Sequence, residues 1–70
     1  MIITITVVEN QDAEEWDVDR FHVSSDFRSI EATSEDKERA INHVKGTVLC
    51  TIGQFDTVPD KIEFVIRNGG

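Results

Sequence analysis

Seventy residues with fourteen acidic and seven basic side chains, and a formal charge of −7, describe a single acidic domain spanning residues 1–70. A chain this short buries only ~60% of the surface its unfolded form exposes, so it cannot enclose a pocket of several hundred Å³ and still keep a core. Size thus disfavours a self-contained enzyme with a bulky cofactor, and charge disfavours direct nucleic-acid binding, where contacts to phosphate dominate affinity.

An apolar fraction of 39%, with four Phe and one Trp, is enough for a compact core and argues against disorder. No apolar run approaches the ~20 residues that span a bilayer. The opening Met1-Ile2-Ile3-Thr4-Ile5-Thr6-Val7-Val8 has no basic leader and no small-residue cleavage site, so it reads as a strand and not as a signal peptide. The single cysteine, Cys50, forms no internal disulfide and is expected as a small core residue in a reducing, cytoplasmic setting.

Residues 2–8 carry the clearest strand pattern. Ile3, Ile5 and Val7 share one face and Thr4 and Thr6 the other, which suits a half-buried antiparallel position. Residues 9–14 lack an apolar anchor and read as a turn. Residues 16–23 are expected as a second strand, but Trp16 and Val18 match one face while Phe21 and Val23 match the opposite one. Either a bulge near Asp19-Arg20 resolves the conflict, or both faces are partly covered.

Ser24-Ser25-Asp26 is expected as a turn and Phe27 to Ala32 as a short third strand. Thr33 or Ser34 then caps a helix whose first turn places Glu35 and Asp36 where its dipole favours negative charge. Beyond Gly46 two readings compete. Ile41, Val44, Val48, Ile52 and Phe55 continue a helical stripe, whereas residues 47–52 are dense in β-branched side chains and Gly46 could end the helix. The stripe favours a helix to about residue 53. Lys61 to Arg67 closes the domain as a strand with Ile62, Phe64 and Ile66 facing inward. The expected fold is therefore α+β, a small antiparallel sheet with one helix packed on it, in the order β-β-β-α-β.

The charge is uneven. Residues 1–19 hold Glu9, Asp12, Glu14, Glu15, Asp17 and Asp19 with no Lys or Arg, while the remaining acids and bases nearly balance. Concentrated like charge costs folding stability through self-repulsion. Solubility and protection of a sheet edge are one account of it. A basic surface on a partner protein is the other, since complementary charge speeds encounter and fixes orientation. Trp16 lies within this segment and is expected in or half in the core; exposed, it would be an interface anchor ringed by carboxylates. The partner-binding candidates are therefore Asp12, Glu14, Glu15, Trp16, Asp17 and Asp19.

Other chemistry is poorly supported. There is no phosphate-cradling glycine loop, no Cys-x-x-Cys and no His-Glu-x-x-His. Asp17-Val18-Asp19 begins like a calcium loop, but no Gly supplies the sharp turn and no Glu closes it twelve residues on. His22 and His43 are isolated, on a strand face and an exposed helix face respectively. No catalytic residue, metal or cofactor is expected.

The element order, with the helix start at Ala32-Thr33-Ser34-Glu35-Asp36 and its amphipathic continuation through Ala40, Ile41 and Val44, resembles the small partial RNase H-like domain of HicB antitoxins. The resemblance covers most of the chain and rests on order and length. That family has Gly-Tyr at its second strand and a Pro-Asp-Leu-Pro-Gly loop before its third, where this chain has Glu14-Glu15-Trp16-Asp17 and Ser24-Ser25-Asp26-Phe27. The likeness implies a toxin-masking or partner-binding module. The ending Lys61-Ile62-Glu63-Phe64-Val65-Ile66-Arg67-Asn68-Gly69-Gly70 in turn looks like the last strand and diglycine tail of ubiquitin-like proteins and sulfur carriers. That likeness implies a carrier acting through Gly70, and a strand at 47–52 would favour it. Size and charge alone also fit inhibitors from phages and mobile elements, in which clustered carboxylates imitate phosphate and occupy a nucleic-acid groove on a host protein. A homodimer through an exposed first or second strand is a further expectation.

Overall fold

A computed structural model describes residues 2–54 and 59–69. The elements are β1 (Ile2–Asn10), β2 (Phe21–Ser25), β3 (Glu31–Ser34), α1 (Lys37–Gln54) and β4 (Lys61–Gly69). They form one four-stranded sheet, ordered β3-β2-β1-β4, with α1 packed on one face. The β-β-β-α-β order is as expected, but the sheet is mixed. β1 pairs antiparallel with β2 and parallel with β4, which reaches the far edge by way of α1.

Alternation in β1 places Ile3, Ile5 and Val7 in the core, with Ile5 fully buried. Val23 from β2 and Ala40, Val44 and Val48 from α1 complete the buried cluster, and Phe27, Ile30, Ala32, Ile41, Ile52 and Ile62 pack around it. The α1 backbone runs closest to β2 and β3, less close to β1 and, among the described residues, stays farthest from β4. One row across the inner face shows the effect. Ala32 is half-buried, Val23 and Val7 are buried, and Ile66 on β4 is 67% exposed. Phe64, beside Ile5 in the register, is 48% exposed. Of the three β4 residues expected to face inward, only Ile62 packs against the core; the other two share its face but lie beyond the helix.

Several boundaries differ from expectation. The second strand begins at Phe21, so Trp16 and Val18 belong to the preceding loop and the conflict of phase needs no bulge. Ser24 and Ser25 continue β2, and the turn falls at 26–30, closed by the Ser25 N–H donating to the Ile30 carbonyl at 2.8 Å. The third strand is Glu31–Ser34, not Phe27 to Ala32. Arg28 and Ser29, at the tip of that turn, have φ of 60° and 52°, a conformation glycine adopts with least strain. Neither β1 nor β2 has an open edge, which removes both strands expected to pair with a second copy; the edges belong to β3 and β4.

The helix begins at Lys37, capped by Asp36 and not by Thr33 or Ser34. Asp36 Oδ1 accepts from the Glu38 N–H at 3.0 Å and lies 3.5 Å from that of Arg39. Ser34, buried at the end of β3, turns the chain into the helix by accepting from the Asp36 N–H at 3.1 Å. α1 continues through Gly46, and residues 47–52 are helical. The Thr47 and Thr51 hydroxyls donate to carbonyls one turn earlier, those of His43 and Thr47, both at 2.8 Å, so these β-branched residues satisfy their polar groups within the helix. Phe55, the last residue of the expected stripe, lies outside the described residues, as does Gly70. Cys50 is exposed on α1, not in the core. No described helix is long and apolar enough to cross a membrane.

Two exchanges of glycine test this backbone in opposite directions. A Cβ on Gly46 would meet nothing within 4 Å, so Gly46→Ala should raise stability by about 1 kcal/mol through the entropy of the unfolded chain. Ser29→Gly should also stabilise, by roughly 1 kcal/mol, by relieving a left-handed residue. Urea melts of both variants measure this directly, and a loss of stability in either contradicts the local geometry. Asp36→Ala should cost about 1 kcal/mol in the same assay, and Thr33→Ala much less.

Candidate functional site

The acidic candidates gather in the β1–β2 connection, residues 11–20. Its base is fixed by the Asn10 N–H donating to the Arg20 carbonyl at 2.7 Å, which extends the β1–β2 ladder by one step. Arg20 also lies 3.6 Å from Glu9 and stacks over the Phe21 ring, 4.9 Å from its centroid. The first basic residue after the acidic run is thus engaged beneath the loop, against a carboxylate outside it.

Three successive turns shape the rest. Ala13 N–H donates to Asn10 O at 3.1 Å, Asp17 N–H to Glu14 O at 3.0 Å and Arg20 N–H to Asp17 O at 3.0 Å. Two side chains reinforce them, with Asn10 Oδ1 accepting from the Asp12 N–H at 3.2 Å and Asp17 Oδ1 from the Asp19 N–H at 2.9 Å. The loop therefore has a defined backbone without glycine or proline. Ala13 and Asp17 are half-buried; Asp12, Glu14, Glu15, Trp16, Val18 and Asp19 point to solvent.

All six candidates thus lie in one loop, but their roles divide. Asp17 shapes the backbone. Asp12, Glu14, Glu15 and Asp19 are exposed carboxylates, and no Lys or Arg falls between Gln11 and Asp19. Trp16 is 76% exposed, contrary to the core position expected of it, and Val18 is 60% exposed. The charge does not run along the second strand, because that strand starts after it. Among the described residues no three His, Cys, Asp or Glu side chains are grouped to hold a metal ion.

A second feature, not anticipated, is a cleft of about 280 Å³ between β3 and α1, lined by Ala32, Thr33, Ser34, Glu35, Arg39 and His43. Its signal was the spacing of Glu35, Arg39 and His43, four apart along one side of the helix. Arg39 Nη1 donates to Glu35 Oε1 at 2.7 Å, so the cation is already matched. The volume falls below the usual range of ligand pockets. On the other side of β3, His22 Nε2 lies 3.5 Å from Glu31.

The Glu35 carboxyl is held below the usual range, chiefly by a hydrogen bond at its own backbone and then by the charge of Arg39 and a hydrogen bond from Ser34, with partial burial opposing. A depressed folded value contributes stability above the ordinary glutamate range that is lost as pH falls through the folded value. Thermal melts on acidification should show this loss, and Glu35→Gln should flatten that part of the profile.

Comparison of the chain with family models, with curated proteins and with solved structures gave no match, so the functional reading rests on the chemistry of the loop itself.

Proposed function

We propose that the protein is a non-enzymatic binding module whose acidic β1–β2 loop docks on a basic surface of a partner protein. The observation that carries this reading is Trp16, set in water amid carboxylates on a loop whose backbone is already fixed. An exposed Trp costs free energy of hydration that burial elsewhere would recover, and it is the side chain most often found dominating the energy of an interface. The surrounding charge would steer a basic partner and orient it, and the loop's turns would reduce the ordering cost on binding.

This arrangement supports docking better than edge protection. The carboxylates lie in a loop between two strands that already have neighbours on both sides, so they guard no open edge. A toxin, or a protein whose groove binds nucleic acid, has the required basic surface, since carboxylates can stand where phosphates would. The carrier reading loses the feature that would have favoured it, because residues 47–52 are helical.

The test separates charge from apolar contact. Wild-type protein captures its partner from host-cell lysate at low salt, and the captured protein is then purified for titration. Carboxamide replacement of Asp12, Glu14, Glu15, Asp17 and Asp19 should abolish binding, as should 1 M salt, where screening acts within ~3 Å. Asn at position 17 keeps the oxygen that shapes the loop. Trp16→Ala should weaken binding by about 30-fold or more at each salt concentration low enough for wild-type binding to be measured. Binding that survives carboxamide replacement refutes the proposal.

A further inference from the structure

Among the described residues the sheet has two open edges, and they are unlike. β3 is four residues long and turns at once into α1, which leaves little backbone to offer a neighbour. β4 runs nine residues without proline, and among the described residues its side away from β1 has no neighbouring strand. Next to that open edge, on the face beyond the helix, Phe64 and Ile66 stand 48% and 67% exposed. A long edge with an apolar row beside it invites strand pairing. The charges on β4 then select the partner.

We propose that β4 pairs antiparallel with β4 of a second copy, about a two-fold axis at Val65, so that one sheet runs through both molecules. Val65 is the midpoint of Lys61–Gly69, so this register uses the whole strand. On the outer face it sets Glu63 opposite Arg67 of the second copy, and symmetry repeats the pair. On the inner face it sets Phe64 opposite Ile66, again twice. Residues directly opposite in an antiparallel ladder share a face, which keeps both helices on one side and places the four exposed apolar side chains between them.

Neighbouring registers that preserve the faces do worse. Centring on Phe64 opposes Lys61 to Arg67, and centring on Glu63 opposes that carboxylate to its own copy. Centring on Ile66 forms no opposite-charge pair and shortens the overlap. Of the registers that engage at least half of the strand, only the one centred on Val65 matches charge with opposite charge. A strand from an unrelated protein would gain nothing from this self-complementary spacing, whereas a closed isologous dimer is built on it. The surface is separate from the acidic loop and does not rest on the docking proposal.

Sedimentation of the full chain over a range of concentrations should show a species of twice the 7.9 kDa chain mass. Glu63→Arg or Arg67→Glu alone opposes like charges at both ends of the seam and should weaken the dimer by about 10-fold. The double exchange Glu63→Arg with Arg67→Glu should restore it, which simple damage to the fold would not allow; circular dichroism confirms that each variant is folded. In a Cys50→Ser background, Val65→Cys should oxidise to a disulfide-linked dimer and Lys61→Cys should not, because only position 65 meets itself across the axis. A chain that stays monomeric at every concentration, whether its edge is covered by its own residues or reserved for a different protein, overturns the proposal. So does a dimer indifferent to all three charge variants.

Discussion

The single helix of this fold does not cover all four strands of its sheet. Neighbouring strands lie about 4.8 Å apart, while a helix with its side chains is ~10 Å wide. α1 therefore seals the inner face over β3, β2 and β1 and leaves Phe64 and Ile66 of β4 uncovered. The core is correspondingly small, drawn from Ile3, Ile5, Val7, Val23, Ala40, Val44 and Val48. The exposed face of β4 follows from that shortage of cover. The apolar row on β4 is core pattern without a lid, and the outer face of the sheet must be carried by Thr4, Thr6, His22 and Ser24.

The sequence made some of this readable and hid the rest for physical reasons. β1 was legible because its alternation is strict and both of its sides are paired. The helix was legible through Gly46 because the three-and-four spacing of Ile41, Val44, Val48 and Ile52 outweighs one flexible residue. Trp16 and Val18, two positions apart in a loop, imitate a strand and mask the start of β2; only their phase against Phe21 and Val23 marks the break. Phe27 and Ile30 are apolar and pack on the core from a turn, so they imitate the start of β3. No glycine marked that turn, since Arg28 and Ser29 take the left-handed conformation themselves. The cap lies at Asp36, beyond the expected Thr33 or Ser34, because all three side chains can accept from a first-turn amide and Ser34 is used at the end of β3 instead. The order of strands depends on which faces the helix can reach, and no local pattern records that.

The candidate loop was legible as composition and not as geometry. A run of acids without a base is visible in the sequence, and so is its single Trp. Whether Trp16 is sheltered or set in water depends on where β2 begins. Moving that boundary from residue 16 to residue 21 changes the carboxylates from decoration on a strand into a shaped loop. The same shift turns Asp17 inward as a backbone ligand and leaves Asp12, Glu14, Glu15 and Asp19 as the charge presented to solvent.

The parallel pairing of β1 with β4 also orders events in time. Ile2 lies beside Lys61 and Asn10 beside Gly69, so the central strand receives its second neighbour only after nearly all the intervening chain has been made. Until then β1, the most apolar strand of the protein, carries a bare edge during synthesis. Contacts so distant in sequence are slow to close, because loop entropy must be overcome before they reward the chain. A nascent molecule thus holds its stickiest strand half-paired for longest, and crowding on a polysome would be felt there first.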